Sequence, residues 1–490
     1  MLIGTLIILP LIAAILVWMM KGQMARTAAL GFSIVEFALS VVTLFQLKHS
    51  PSDPRKFLSL DCTWIESIGV KFSVGVDGIS MLLVLLTTFL VPLIILSSYK
   101  NTYEKPNAFY GLMMLMQMAL VGVFAARDGF LFYIFWELAL IPIYFICLIW
   151  GGENRGKITF KFFIYTLLGS LFMLVALIFL YQNTGIDGTG KSWALEEIYK
   201  AGRSLSMEHQ TYVFWFIFLA FAIKMPVFPF HSWQPDTYVN APTQGTMLLS
   251  GIMLKMGTFG MIRWLLPVVP GACEKYAPIA IGLSVVGILY ASCIAIVQKD
   301  YKRLIAYSSI AHVGLIAAGI LSFNQQGIQG AVIQMLSHGV NVVGLFLIAD
   351  ILFRHLGTRT ISELGGIRNV NPTFSVLFLI VLLGSVALPL TNGFVGEFLL
   401  LAGVFSFSKV IAGIAGLTVI LGAVYMLRSY QGIMLGEANE LTKKFGEIAK
   451  TDKAVLVIVC IVIVAFGVYP KPLNDLAEPA VKLLLDSIKK

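Results

Sequence analysis

Ionisable side chains stand inside long apolar stretches of this sequence, where a charge is energetically expensive. Lys224 lies in the run FAIKMPVFPF, and Pro226 and Pro229 follow it directly. Proline lacks an N–H and clashes with the preceding turn, so the sequence predicts a broken or kinked helix here. In a membrane, irregular backbone persists only inside protein or beside water, and a buried charge usually marks function. Lys224 is therefore a candidate functional residue; the structural alternative is a kinked span whose lysine reaches an interface.

Further ionisable residues fall at similar depth in other apolar stretches. Polar neighbours accompany two of the histidines at helical spacing, which places one polar stripe on each helix. The joint pattern predicts a hydrated proton relay parallel to the membrane plane. The candidate proton-transfer residues are Glu137, Lys224, Lys255, His312, His338 and Glu397, and the candidate relay or gating residues are His231, Ser308, Gln334 and Asn341.

Each of these residues also has a structural interpretation. Glu137 could pair with a lysine only to fold the bundle, and Lys255 could be a second counter-ion. His312 and His338 could be packing histidines, and His231 could cap backbone beside the break. The residues interpreted as interfacial anchors near span ends are Arg263, Asp350 and Arg428.

The composition identifies the elements that position these side chains. The chain has 490 residues, of which 58% are hydrophobic and 12% charged, whereas soluble domains are about 25% charged. Apolar stretches of roughly 20 residues, enough to cross a bilayer, recur from end to end. The sequence predicts an all-α polytopic membrane protein with about 14 transmembrane helices, and only loops in the polar gaps 48–77 and 182–210. The predicted spans are roughly 2–20, 27–47, 78–98, 108–126, 129–150, 160–181, 211–240, 243–266, 276–297, 302–322, 329–354, 372–406, 410–434 and 453–470.

The charge distribution and the motifs exclude several function classes. The net charge is +9, but the basic residues punctuate loops, so no nucleic-acid partner is predicted. No nucleotide-binding glycine motif follows a strand. The cysteines have no metal-ligand spacing and no C-x-x-C pair, so we expect neither metal nor iron–sulfur cluster in this chain. The five cysteines are Cys62, Cys147, Cys273, Cys293 and Cys460.

The seventh and twelfth segments are both too long for one straight crossing. The second break reads SVALPLTNGFVGEF, with Pro389 and Gly393 interrupting the helix. Because the two breaks are five segments apart, an odd number, the second copy is inverted, as in transporters. The sequence therefore predicts two inverted five-helix repeats. The predicted divisions are 1–107 (helices 1–3), 108–270 (first repeat, helices 4–8), 271–435 (second repeat, helices 9–13) and 436–490 (helix 14 and tail).

Lysine and arginine are concentrated in the loops that follow odd-numbered spans. The positive-inside rule places those loops in the cytoplasm. We therefore expect both termini on the periplasmic side of a bacterial inner membrane.

Four motifs resemble the antiporter-like subunits of respiratory complex I. They read FWELALIP, AIKMPVFPFHSWQPDTYVNAPTQGTMLLSGIMLKMGTFGMIR, QKDYKRLIAYSSIAHVG and TNGFVGEF, and the resemblance covers most of the chain. The family also includes subunits of Mrp-type antiporters and membrane-bound hydrogenases. Two of the three complex I members typically carry lysine where this chain has Glu397, which favours the third member. Pro389-Leu390 departs from the Pro-Gly that relatives often carry.

The resemblance implies a proton-translocating membrane subunit of NADH:quinone oxidoreductase. Glu137 and Lys224 would form the ion pair of a first half-channel, and Lys255, His312, His338 and Glu397 would continue the path. NADH, FMN, iron–sulfur clusters and quinone would be bound by other subunits. The implied partners are the other membrane-arm subunits, two sister antiporter-like subunits among them. The alternatives are a subunit of a cation/proton Mrp-type antiporter without redox coupling and a structural spacer that pumps nothing.

Overall fold

The computed structural model describes residues 2–49, 58–185, 188 and 190–488. Most of this chain is helical, and an antiparallel hairpin follows the second helix. The first elements are α1 (Leu2–Met19), α2 (Gly22–His49), β1 (Leu58–Ile65), β2 (Val70–Val76), α3 (Gly78–Ser97), α4 (Pro106–Ala125), α5 (Gly129–Trp150), α6 (Arg155–Gln182), α7 (Leu195–Ser204), α8 (Met207–Lys224), α9 (Gln234–Asn240), α10 (Thr243–Leu248) and α11 (Lys255–Gly260). The others are α12 (Pro270–Ile296), α13 (Tyr301–Ile320), α14 (Gln325–Leu356), α15 (Ile367–Val370), α16 (Pro372–Ser385), α17 (Asn392–Phe407), α18 (Lys409–Met434), α19 (Lys450–Val468) and α20 (Lys471–Ile488).

Twelve helices of the described chain are long and apolar enough to cross a membrane. The predicted all-α multi-pass fold is confirmed, but the count of about 14 is not. Segments seven and twelve are broken, so neither α8 nor the two halves α16 and α17 is among the twelve.

Burial separates central from peripheral helices. The apolar 18-residue stretch within Thr243–Leu265 is 100% buried and that within Gln325–Leu356 is 94% buried, whereas that within Gly22–Lys48 is only 28% buried. A helix with apolar residues all round is stable in the interior of a bundle or in lipid. Helices α10, α11 and α14 therefore form the centre of the bundle, and α2 lies at its periphery.

The first break begins where α8 ends, at Lys224. The chain then turns through Pro226 and Pro229 before α9 starts at Gln234. The indole N–H of Trp233 donates to the Ile223 carbonyl at 2.9 Å. This side chain satisfies an acceptor that the broken helix would otherwise leave orphaned.

The second break separates α16 from α17 and contains Pro389. Leu390 has φ 74, in the left-handed region that favours glycine. Gly393 comes so close to the Gly384 carbonyl across the break that a Cβ there would clash with it. The turn at Pro389-Leu390 thus has the backbone conformation that a Pro-Gly pair would adopt, although leucine occupies the position of the glycine.

Leu390→Gly should stabilise the protein by about 1 kcal/mol, because glycine adopts the left-handed conformation without strain. The greater entropy that glycine gives the unfolded chain offsets only part of this stabilisation. Leu390 is 68% exposed, so little packing is removed. The thermal unfolding midpoint of the purified complex measures the effect. Leu390→Ala, which keeps the Cβ, is the matched control and should show no comparable gain; equal shifts for both variants would contradict the explanation.

The two polar gaps are not only loops, as the sequence led us to expect. The gap 48–77 contains the β1–β2 hairpin, and the gap 182–210 contains α7. Asp128, fully buried, caps α5 through the Phe130 and Leu131 N–H groups and also accepts from the Lys71 N–H of β2 at 3.1 Å. Burial raises the pKa of the Asp128 carboxyl. This residue ties the hairpin to the helix bundle.

Residues after the last predicted span, predicted from the sequence only as a tail, form a further helix, α20. One face is polar, and the other buries Ala477, Val481 and Leu484. It packs along α3 and α14. Since its apolar face is narrow, α20 lies on the bundle rather than crossing it.

Candidate proton relay

The end of α8 holds Lys224 inside the bundle. The residue is 2% exposed, and its Nζ lies 5.4 Å from the centre of the Trp136 ring. Glu137, next to Trp136 on α5, acts on the ammonium group electrostatically. Its Oε1 is buried without a hydrogen-bond partner, and it forms no contact ion pair with Lys224. The Glu137 carboxylate and the Lys224 ammonium group are therefore close enough to interact electrostatically but do not touch.

Lys255 is completely buried at the start of α11. A π-helical turn, Leu249–Met253, precedes it, and such turns often occur at functional sites. The Ser250 carbonyl of this turn accepts from Lys255 Nζ at 2.6 Å. Gly257 lets α11 approach the end of α8, because its Cβ position is 2.9 Å from the Phe221 carbonyl oxygen. The backbone thus places Lys255 beside the helix that carries Lys224.

His338 of α14 continues directly from Lys255. Lys255 Nζ is 2.9 Å from His338 Nδ1, and His338 Nε2 is 2.9 Å from Ser309 Oγ. Ser309 Oγ lies 3.3 Å from Ser250 Oγ, which closes a buried ring of polar groups. When the lysine is charged it donates to Nδ1, so the imidazole proton sits on Nε2 and is donated to Ser309. The His338 imidazole can accept a proton from Lys255 at Nδ1 and release one to Ser309 at Nε2.

His312 of α13 and Glu397 of α17 form the next contact. Nδ1 and Glu397 Oε1 are 2.8 Å apart, although the ring N–H direction does not align with the oxygen. Gln334 Nε2 donates to the same oxygen at 3.1 Å. The His312 and His338 rings have centroids 6.0 Å apart, a gap that one water can bridge. Two short polar chains therefore meet end to end.

The remaining predicted residues are less closely connected. Ser308 accepts from the Tyr425 hydroxyl at 3.0 Å, one turn before His312. Asn341 is 3% exposed, with Oδ1 lacking a partner. His231 packs against Phe228 and Tyr290, with ring centroids 5.6 and 5.0 Å away.

Sequence reasoning missed several polar residues at the site. Ser250 and Ser309 carry no charge and gave no signal, and Tyr425 resembled an ordinary aromatic near a span end. Glu36 did carry a signal, because it is a carboxylate inside the second predicted span. It is 1% exposed, and both carboxylate oxygens lack partners.

Two residues interpreted as interfacial anchors are instead buried ion-pair partners. Arg263 is 7% exposed and pairs with Asp77. Asp350 is also 7% exposed and accepts from Arg354 at 2.8 Å. That arginine reaches Asp452 of α19 at 2.7 Å as well. The anchor interpretation was wrong for both because it considered position along the sequence and not the neighbouring helices.

Two family models cover most of the chain. One described as "NADH:quinone oxidoreductase/Mrp antiporter, TM" matches residues 126–424. Another described as "NADH-ubiquinone oxidoreductase chain 4, amino terminus" matches residues 4–125.

Similar proteins support the same family over the full length. NADH-quinone oxidoreductase subunit M of Rickettsia typhi is 38% identical, over 99% of this chain and 98% of the relative. The subunit M of Rhodobacter capsulatus is also 38% identical, over 94% of this chain and 91% of the relative.

Two solved structures are similar in fold. Respiratory complex I from Thermus thermophilus with bound NADH contains a chain that superposes with TM-score 0.89 at 30% identity, covering 99% of this chain and 100% of that one. The Mrp complex of a Dietzia species has a similar chain with TM-score 0.85 at 18% identity, covering 100% of both chains. The second likeness shows the fold alone.

Fold and buried charges together define an antiporter-like membrane subunit, the class shared by these complexes. Within this class, the chain belongs to the NADH-quinone oxidoreductase subunit M family, a membrane subunit family of complex I. Glu397, which favoured one of the three antiporter-like members, agrees with that assignment.

Proposed function

We propose that this chain translocates protons through the buried relay and thereby couples quinone reduction elsewhere in the complex to proton pumping. The observation that carries the proposal is the Lys255–His338–Ser309 chain beside the His312–Glu397 contact. Every group in it can bind and release a proton or rotate a hydroxyl. A structural counter-ion role would not require such groups in series, so the arrangement favours conduction over a spacer.

Buried polar atoms without protein partners point to hydration of the same path. Leaving such an atom unpaired costs about 1–3 kcal/mol, and buried polar groups recruit water when the site is polar. Water at these atoms would join the two polar chains. The atoms along the relay are Glu137 Oε1, His312 Nδ1, Gln334 Oε1, Asn341 Oδ1 and Glu397 Oε2.

The Glu137–Lys224 pair supplies the gating energy in this mechanism. A carboxylate near a buried ammonium favours its charged form. At roughly 5–6 Å and an effective dielectric of about 20, the coupling is about 3 kcal/mol. Moving one charge against roughly 150–200 mV requires about 4 kcal/mol. Changing the separation of Glu137 and Lys224 therefore shifts proton affinity by an amount comparable with the driving force.

His338→Gln tests the proposal, because glutamine keeps hydrogen bonding but cannot titrate. Redox-driven proton uptake in vesicles should fall by about tenfold, with assembly intact on native gels. His209→Gln is the control, since His209 is exposed at the start of α8 and should pump normally. Normal pumping by His338→Gln would refute conduction through this residue.

The setting of the subunit is part of the proposal. NADH, FMN, iron–sulfur clusters and quinone belong to other subunits, and the neighbours in the membrane arm include two sister antiporter-like subunits. We place the chain in a bacterial inner membrane, where the positive-inside rule puts both termini on the periplasmic side. The divisions 1–107, 108–270, 271–435 and 436–490 follow the two breaks. The alternative, a subunit of a cation/proton antiporter without redox coupling, is supported only by the likeness in fold to the Mrp complex chain.

Purification in mild detergent should recover the chain with several other polytopic subunits. The reason is that the chain carries a charge relay and no redox motif, so it works only within a larger membrane arm. Size-exclusion chromatography with mass spectrometry of the peak identifies the partners. Recovery of a stable monomer that transports protons alone would contradict this expectation.

A further inference from the structure

A cavity of about 390 Å³ opens between the end of α12, the start of α13, the turn Ile361–Glu363 and α18. Its lining includes the exposed cations Lys299 and Arg428, together with Ser429. Lys299 and the turn belong to loops that the positive-inside rule assigns to the cytoplasm. The cavity therefore opens on the same face as the basic loops.

Tyr425 of α18 also lines this cavity. The residue is 1% exposed, and its hydroxyl donates to Ser308 Oγ at 3.0 Å. The phenol is close enough to Glu397 to interact with it electrostatically. Ser308 lies one helical turn before His312 on the same face of α13, and His312 contacts Glu397 at 2.8 Å. The Tyr425 and Ser308 hydroxyls thus connect the cavity with the face of α13 that carries His312.

We propose that this cavity is a water-filled inlet and that Tyr425 and Ser308 pass protons from it to the His312–Glu397 pair. The inference rests on the proposed proton-translocating function and adds a point of access to its second half. In the transfer, a hydronium ion in the cavity gives its excess proton to the phenol oxygen and becomes water, as the phenol proton moves to Ser308 Oγ. The serine proton then moves on to His312 or Glu397. Each hydroxyl regains the proton that it gives, so the hydronium ion loses one proton and the final acceptor gains one.

Tyr425→Phe removes one hydroxyl from this route and keeps the ring. Proton uptake and coupled quinone reduction should fall by about tenfold, and the solvent deuterium isotope effect on turnover should increase. Tyr430→Phe is the matched control: it lies on the same helix, and its hydroxyl is 2.7 Å from Ser375 Oγ. Equal activities of the two variants would overturn the inlet.

Failure of the inlet is distinguishable from failure of the proposed function. If His338→Gln abolishes pumping while Tyr425→Phe matches Tyr430→Phe, the relay stands and the inlet is wrong. If His338→Gln pumps normally, the proposed function itself fails. Ser308→Ala should reproduce the Tyr425→Phe defect, because the two hydroxyls act in series; normal pumping by Ser308→Ala counts against the route.

Thiol labelling tests water access without relying on activity. Ser429→Cys, placed in the complex after exposed Cys62 and Cys293 are changed to serine, should react with a membrane-impermeant methanethiosulfonate applied to the basic-loop face. Thr418→Cys is the control, because Thr418 is fully buried on the same helix and outside the cavity. Labelling of both positions, of neither, or only from the opposite face would overturn the inlet.

Discussion

Lys224→Ala should abolish most redox-driven proton uptake and, through tight coupling, slow quinone reduction while the complex still assembles. Lys224 is buried at the end of α8, near Glu137 and 5.4 Å from the Trp136 ring. Alanine removes both the proton carrier and the cation that Glu137 acts on, so the loss should exceed about tenfold. Proton uptake by inverted vesicles, with assembly checked on native gels, gives the result.

Lys224→Arg separates proton transfer from fixed charge. Arginine preserves the cation but hardly ever releases its proton, so rescue should be poor. Lys275, an exposed lysine 5.2 Å from the Tyr276 ring, provides the control. Both Lys275→Ala and Lys275→Arg should pump normally. If Lys224→Arg also pumps normally, Lys224 is only a counter-ion.

The membrane helices and the two breaks could be predicted from local sequence. A span needs only length and apolar composition, and Pro226 interrupts a helix whatever the neighbouring helices are. The hairpin was missed because the gap 48–77 was interpreted by its overall polarity. Both β1, with the sequence LSLDCTWI, and β2, with the sequence VKFSVGV, alternate apolar and polar residues, which is typical of a half-buried strand. The sequence therefore carried a signal for the two strands, and they pair in the structure.

Contacts within the candidate relay could not be derived from sequence. Helical spacing places Ser308 and His312 on one face, but it does not say which helix that face meets. The contact between Lys255 and His338 depends on the π-helical turn before α11 and on the packing of this region against α14. The distance between Glu137 and Lys224 likewise depends on how α5 and α8 pack. A resemblance can name such residues, whereas only the fold gives their separations.

Moving the Glu137 carboxylate along α5 should give different results at two adjacent positions. Leu140 is 3% exposed and faces the bundle, whereas Ile141 is 46% exposed and faces outward. Coulomb coupling falls gradually with distance, so Glu137→Gln combined with Leu140→Glu should keep part of the proton uptake. The same change with Ile141→Glu should not, because its carboxylate points away from Lys224. Equal activity of the two double variants would show that the carboxylate does not act through its distance to Lys224.

Glu397 should respond differently, because it must itself exchange a proton. Glu397→Gln keeps the side-chain shape near His312 but cannot carry a proton, so uptake should fall by about tenfold or more. Glu397→Lys should restore part of the proton uptake. The Gln334 amide, which donates to Glu397 in the unmodified protein and whose oxygen has no partner there, can rotate so that its oxygen accepts from the ammonium group. Redox-driven proton uptake and native gels are measured for both variants and for Glu137→Gln. If Glu397→Gln pumps like the unmodified protein while Glu137→Gln is inactive, Glu397 is not on the path, and protons must leave through the first half of the relay alone.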